Sequence, residues 1–305
     1  MSLPPLTTTT ALRGRSTGAP PSARRRTSLL GPTWGLVPFA CFLLLFLFVP
    51  AVSVFVDALR TENGVSLAAM GEAASGQNRQ ALVFSVTFSA GAALVGVLVG
   101  TTLAYAATTI RRPRWLRSAV TSFSGVAANM GGLPLAFAFL TLLGRQGILT
   151  KILGAAGWDL YAGDFELGSV PGLITVYSYF NIPLMVLVTL PAIDGLKPAW
   201  REACSSLGGT GWTYWRRVGL PVLMPSLLGG FMLLFANSFS AYATAAVLTD
   251  NSKIIARRIG FFLGGDVSIG EDAVGFALAS WMILITALAM GIYWMTRRRA
   301  ERWKA

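Results

Sequence analysis

The stretch EACSSLG, at residues 202–208, and the stretch VGLP, at residues 218–221, belong to a polar and basic island between two long apolar runs. A membrane protein has little reason to keep a structured loop of this size unless another molecule docks on it. The island therefore divides the apolar part of the chain and marks its first candidate functional surface.

The composition is that of a membrane protein. The 305 residues are 54% hydrophobic and only 12% charged, whereas soluble domains usually carry about 25% charged residues. Several apolar runs exceed the roughly 18 residues that a membrane-crossing helix needs. The net charge of +12 reflects basic residues that flank the apolar runs as orientation signals. We therefore expect an all-α polytopic membrane protein that contacts membrane lipid and binds no nucleic acid.

The apolar runs predict six transmembrane helices, at about residues 34–58, 81–110, 118–143, 169–193, 222–248 and 273–296. The third run is interrupted by polar and helix-breaking residues, namely Asn129, Gly131, Gly132 and Pro134. Residues 1–28, rich in Thr, Pro, Ser, Gly and Arg, are predicted to be a disordered, basic cytoplasmic tail because they cannot bury a core. Residues 29–305 are predicted to form one transmembrane domain.

Basic residues indicate the orientation of this domain. Six crossings place both termini on the same side of the membrane. With both termini inside, 18 of the 25 Lys and Arg residues lie inside and 7 lie outside. The reverse orientation would invert this ratio, so the positive-inside rule favours N-in and C-in. The loop at residues 194–221, between the fourth and fifth spans, is then cytoplasmic.

Several features that enzymes use are missing from the sequence. The chain has no histidine, the commonest metal ligand and a frequent general base, and no Gly-x-x-x-x-Gly-Lys-Ser/Thr phosphate loop. Its two cysteines, Cys41 and Cys204, fall in different environments and do not predict a disulfide. We predict no catalytic residue, no metal site and no cofactor, so that any ATP hydrolysis resides on a partner chain.

Small residues recur every four positions in the second span, at Ala92, Gly96, Gly100 and Ala104. Such a ridge lets another helix approach closely, and the alternative is that it lines a channel. We favour helix packing.

The island itself predicts two short helices. Pro198 suits the first turn of a helix and Gly208-Gly209 suits its end, so that Glu202 lies on this helix. A second helix is predicted from Thr210, and Leu220-Pro221 are expected to turn the chain into the fifth span. The alternative is an ordinary amphipathic helix at the membrane surface, with Trp and Tyr at the headgroups. That alternative does not explain the combined spacing of Glu202, Gly208 and Leu220-Pro221.

This spacing resembles the EAA signature of ATP-binding cassette (ABC) importer permeases, with Cys204 in place of the usual Ala and Val218 in place of a common Ile. The resemblance extends over about residues 80–296 and implies the MetI-like fold. Three stretches are similar to permeases of the spermidine/putrescine, ferric-iron, thiamine and phosphonate group, namely GLPLA at 132–136, LGRQG at 143–147 and YFNIP at 179–183.

The resemblance implies a multi-pass transport subunit of a bacterial inner membrane, with no enzyme activity of its own. An extracytoplasmic solute-binding protein would deliver the solute. This chain would form half of the pathway together with a second permease, either a homologue or a copy. Two ABC ATPase subunits would close on ATP and push on the loop. The ATPase-coupling residues that the resemblance implies are Glu202, Ala203, Cys204, Gly208, Leu220 and Pro221.

Polar residues within the spans are candidates for the translocation pathway, namely Asn129, Tyr177, Asn181, Asn237 and Tyr242. Each can equally serve as a hydrogen-bonding group between helices. The spans carry no clear mid-membrane charge, which disfavours an ion-coupled pump, although an ATP-independent secondary transporter or channel is the alternative function. The solute expected from the resemblance is small and polar, such as a polyamine, iron, thiamine or a phosphonate.

Overall fold

The computed structural model describes residues 36–61, 64–109, 114–163, 165–249, 253–264 and 272–302. The predicted disordered tail, residues 1–28, lies outside these ranges. The chain divides into two compact units, Met1–Pro50 and Ala51–Ala305. The described part of the first unit is helical, and the rings of Phe42 and Phe46 stack there with their centroids 5.0 Å apart.

Helices make up nearly all of the described chain. In order they are α1 (Val37–Leu43), α2 (Val49–Leu59), α3 (Ala68–Ala73), α4 (Gly76–Thr109), α5 (Arg114–Ala127), α6 (Leu133–Leu143), α7 (Ile148–Ala155), α8 (Val170–Asp194), α9 (Pro198–Ser206), α10 (Gly211–Tyr214), α11 (Leu220–Ser240), α12 (Tyr242–Leu248), α13 (Ile255–Leu263) and α14 (Asp272–Arg302). Two π-helical segments, Leu44–Phe48 and Trp215–Gly219, directly precede α2 and α11. Two-residue strands, β1 (Arg60–Thr61) and β2 (Gly64–Val65), form a small antiparallel hairpin.

Within the described ranges, six stretches are long and apolar enough to cross a membrane, which confirms the prediction of an all-α polytopic protein. They are Val37–Leu59, Gly76–Thr109, Leu133–Ala155, Val170–Asp194, Gly211–Ser240 and Asp272–Met295. The third and fifth of these stretches differ most from the predicted spans.

The predicted third span consists of two helices, α5 and α6, as its interruption indicated. α5 has 14 residues, so at 1.5 Å per residue it measures about 21 Å and is shorter than a hydrocarbon core of about 30 Å. Between the two helices Gly132 has a φ of +78°, in the left-handed region that glycine adopts without steric cost. A single continuous helix over 118–143 is therefore excluded.

Ion pairs at the two ends of α8 define where α5 and α6 lie. Arg117 of α5 contacts Asp194, the last residue of α8. Arg145, two residues after α6, contacts Glu166, four residues before α8, with Nη2 and Oε1 2.8 Å apart. α5 and α6 thus lie along α8 and run in the opposite direction. The apolar stretch Leu133–Ala155 comprises α6, a turn and α7.

The fifth span begins and ends earlier than predicted. The helix runs without a turn from Gly211 to Ser240, so the expected turn at Leu220-Pro221 is wrong. A proline removes one backbone donor and its ring crowds the preceding turn of the helix, and the wider π-helical segment Trp215–Gly219 lies where that crowding falls. The helix ends because Ala241 adopts an extended conformation, with φ −73° and ψ 98°, before α12 begins.

The ridge of small residues on α4 packs against α8, which confirms the packing interpretation. Ala92, Gly96, Gly100 and Ala104 are all buried. At Gly100 an added Cβ would lie 2.6 Å from the Cβ of Met185 and 2.7 Å from the carbonyl oxygen of Ile182. The backbones of α4 and α8 therefore approach more closely than side chains would allow.

Candidate functional site

α9 is a short, well-bounded helix between the fourth and fifth spans, as the sequence predicted. Lys197 is extended and Pro198 occupies the first helical position, where a missing N–H costs no hydrogen bond. The backbone N–H of Leu207 donates to the carbonyl of Ala203 at 3.2 Å and closes the last turn. The hydroxyl of Ser205 donates to the carbonyl of Glu202 at 2.7 Å.

Two glycines end α9, each for a different physical reason. Gly208 has a φ of +77°, which costs other L-residues about 1–2 kcal/mol, although a Cβ there would meet no atom within 4 Å. A Cβ on Gly209 would lie 2.6 Å from the Sγ of Cys204 and 2.8 Å from its carbonyl oxygen. Conformation thus favours glycine at position 208, and space requires it at position 209.

One face of α9 carries an apolar stripe with helical spacing, formed by Trp200, Ala203, Cys204 and Leu207. Positions i, i+3, i+4 and i+7 share one face of a helix. The stripe forms one wall of an open groove of about 460 Å³, which we call the α9 groove. Residues after α9 also line the groove, namely Gly209, Thr213, Arg217, Val218 and Val222. An apolar side chain of a partner fits such a surface.

The outer surface of α9 is free for contact in the described part of the protein. Leu207 is 89% exposed at the tip of the turn. Glu202 is also exposed, and its carboxylate makes no ion pair with any described residue. Leu207 belongs to the stretch at residues 202–208 with which the sequence analysis began, but it was not among the six predicted coupling residues.

The structure separates the six predicted coupling residues into three groups. Ala203 and Cys204 line the α9 groove. Glu202 and Gly208 lie on the exposed surface of the same loop. Leu220 and Pro221 begin α11 and are exposed, and they do not line the groove. Within the described ranges, no group of three or more His, Cys, Asp or Glu residues could hold a metal ion.

The five pathway candidates also divide by burial. Tyr177 and Asn181 are fully buried, and the Nδ2 of Asn181 donates to the Oγ of Ser238 on α11 at 2.8 Å. These two residues therefore act as hydrogen-bonding groups between helices. Asn129, Asn237 and Tyr242 are exposed on the surface of the chain.

Hydrogen bonds satisfy the backbone at the breaks in the third and fifth spans. The hydroxyl of Tyr177 donates to the carbonyl of Ala241 at 2.9 Å. The Oγ1 of Thr244 accepts from the N–H of Gly132 at 3.0 Å and lies 3.2 Å from its carbonyl oxygen. Because lipid offers no partner to an unpaired backbone group, these two side chains satisfy backbone groups directly before α6 and directly after α11.

Comparison with known proteins gives a consistent family relationship. A family model described as "Binding-protein-dependent transport system inner membrane component" matches residues 72–302. A sulfate transport system permease protein, CysW, from Synechocystis is 25% identical over 277 residues, which cover 88% of this chain and 94% of that protein. A molybdenum transport system permease protein, ModB, from Mycobacterium tuberculosis is 24% identical over 215 residues, which cover 70% and 77%.

Two further similarities concern a shorter alignment and the fold. A homologue from Mycoplasma genitalium of PotC, a spermidine/putrescine transport system permease protein, is 27% identical over 201 residues, 59% of this chain and 69% of that one. Among solved structures, a bacterial ABC transporter involved in the import of the acidic polysaccharide alginate contains a chain with a TM-score of 0.67. That chain is 18% identical, and the match covers 89% of this chain and 95% of the other.

Proposed function

The chain belongs to the family of inner membrane components of binding-protein-dependent transport systems, and from that premise we propose that it forms half of the pathway of an ABC importer and couples to a separate ATPase through α9. It is a multi-pass inner-membrane protein. The observation that carries the proposal is the loop at residues 194–221, which contains α9 and which we call the α9 loop. It presents an unpaired carboxylate at Glu202 and an open groove beside it.

The α9 groove argues for a protein partner rather than for lipid. A helix that lies in the membrane surface turns its apolar face toward the acyl chains. On α9 the apolar stripe borders a groove that Val218 and Val222 also line, so part of the stripe lies against the protein itself. Exposed Leu207 and unpaired Glu202 lie at the tip and on the surface of the loop, where a binding pocket on an ATPase would enclose both.

The exposed polar residues are the better candidates for the translocation pathway. Asn129, Asn237 and Tyr242 are accessible on the chain surface and carry neutral groups that can bind a polar solute. Tyr177 and Asn181 are already engaged within the chain. We therefore assign the pathway to the exposed three, opposite a second permease of the same family.

We further propose two ABC ATPase subunits and an extracytoplasmic solute-binding protein as partners, with the α9 loop on the cytoplasmic side. The relatives are named for sulfate, molybdenum and spermidine/putrescine transport, so their common feature is a small polar solute. A polyamine is one such solute. The competing function is a secondary transporter or channel, which would move its solute without ATP and would leave the α9 groove empty.

Purification of the affinity-tagged chain from its native membrane tests the docking proposal. We expect an ABC ATPase to co-purify and its recovery to fall at least about tenfold in Gly208→Val, since this substitution distorts the turn and adds bulk where a partner would contact it. Gly157→Val is the matched control, because Gly157 has a φ of +86° and also meets no atom within 4 Å, but lies in the loop predicted to face outside. Equal ATPase recovery from both variants would contradict the proposal.

A further inference from the structure

An ion pair connects α5 to the residue at which the α9 loop begins. The Nη2 of Arg117 contacts the Oδ2 of Asp194, although the two residues are 77 positions apart. Asp194 is the last residue of α8, and α9 begins four residues later at Pro198. A displacement of the N-terminal end of α9 therefore occurs only four residues away from this ion pair.

Neither charge is explained by the stability of its own helix. The C-terminus of a helix carries partial negative charge, so the carboxylate of Asp194 is unfavourable at the end of α8. The N-terminus carries partial positive charge, so the guanidinium of Arg117 is unfavourable near the start of α5. Each charge is unfavourable at its own helix end and favourable only in its contact with the other residue. The ion pair therefore stabilises the contact between α5 and α8.

The same region also holds the far end of the loop. The ring of Trp215, directly after α10, packs edge-on against Tyr105 of α4 with centroids 5.0 Å apart. Leu196, between α8 and α9, packs in one cluster with Trp215 and with Val120 of α5. The α9 loop is therefore anchored at both ends on α4 and α5, while the surface of α9 between these anchors is exposed.

We propose that Arg117 and Asp194 are positioning residues that make α5 follow α9 when the ATPase moves it. This inference rests on the proposed function. α5 leads to the break at Gly132, and Gly132 is hydrogen-bonded to Thr244 beyond the break in the fifth span. A movement of α9 that is transmitted to α5 therefore reaches Gly132 and, through its hydrogen bond to Thr244, the segment after α11. Without the ion pair, only the apolar cluster of Leu196, Trp215 and Val120 connects the α9 loop to α5 in the described part of the chain.

The exposure of the pair makes the inference testable without unfolding the protein. The side chains of Arg117 and Asp194 are 44% and 42% exposed, and ion pairs with such exposure add little to folding stability. Arg117→Gln and Asp194→Asn are therefore expected to give normal amounts of assembled complex. Their effect should appear in the response of the helix breaks to nucleotide.

The reporter is the thiol introduced by Asn129→Cys, because Asn129 is exposed at the break between α5 and α6. The two native thiols are removed by Cys41→Ala and Cys204→Ala. The rate of maleimide modification is measured in the purified complex with its ATPase, once without nucleotide and once with ATP and vanadate. We expect nucleotide to change this rate in the parent, and the change to shrink about two- to fivefold in Arg117→Gln and in Asp194→Asn, as loss of one exposed ion pair allows.

The exchanged pair, Arg117→Asp with Asp194→Arg, should restore the response, which a merely structural role would not predict. Arg60→Gln is the matched control, since it removes the exposed contact of Arg60 with Asp57, 3.7 Å long, within one segment of the chain. A parent-sized response in both single variants, no response in the parent, or an exchanged pair no better than the single variants would each overturn the inference. Absence of the ATPase from the complex of the unsubstituted chain would instead contradict the proposed function itself.

Discussion

Gly100→Ala should strongly destabilise the contact between α4 and α8. The added Cβ would lie 2.6 Å from the Cβ of Met185 and 2.7 Å from the carbonyl oxygen of Ile182, whereas favourable carbon contacts lie at about 3.5–4.0 Å. The carbonyl belongs to the backbone and cannot rotate away. The two helices must separate by about 1 Å, and overpacking of this kind costs about 1–3 kcal/mol. We expect the upper end, because the ridge packs along its whole length.

The assay is thermal unfolding of the detergent-solubilised protein, followed by the fraction that stays monodisperse on size-exclusion chromatography. In a chain of 305 residues, about 3 kcal/mol corresponds to a fall in midpoint of about 5 °C. Gly291→Ala is the matched control, because Gly291 lies within α14 and a Cβ there would meet no atom within 4 Å. The control should be neutral or slightly stabilising, since alanine favours the helix by about 0.5–1 kcal/mol. Equal midpoints for both variants would refute the packing argument.

Two further substitutions test the breaks in the third and fifth spans. Tyr177→Phe should lower the unfolding midpoint, because the carbonyl of Ala241 loses its donor and an unsatisfied buried group costs about 1–3 kcal/mol; Tyr179→Phe, at a ring that packs on Phe139, should change it less. Thr244→Val removes the hydroxyl bonded to Gly132 while keeping nearly the same volume, so we expect faster hydrogen exchange at the start of α6, and unchanged protection there would contradict this role.

Some of the architecture could be predicted because it depends on local chemistry. The ridge of Gly96 and Gly100 was predicted as a packing surface from spacing alone, and the structure places it against α8 and, at Gly96, also against Leu234 of α11. The end of α9 was predicted from Gly208-Gly209, since a left-handed residue favours glycine. The interruption before α6 was predicted from Asn129, Gly131, Gly132 and Pro134, and in the structure Gly132 adopts a left-handed conformation there.

Features that depend on contacts across the chain could not be predicted. Pro221 suggested a turn, but the helix continues through the π-helical segment before it. No sequence pattern predicted that segment. The five polar pathway candidates looked equivalent in sequence. Only the packing of α8 on α11 distinguishes buried Asn181, which bonds to Ser238, from exposed Asn237.

Crosslinking from the native thiol of Cys204 tests the docking of an ATPase on α9 most directly. Cys204 is partly exposed and lines the α9 groove, whereas Cys41, exposed in α1, serves as an internal control. A short bifunctional maleimide is applied to native membranes that contain the parent, Cys204→Ala or Cys41→Ala. We predict an adduct with an ABC ATPase that disappears in Cys204→Ala and persists in Cys41→Ala. An ATPase adduct that persists in Cys204→Ala, or the absence of any ATPase adduct in the parent, would contradict the assignment of α9 as the docking site.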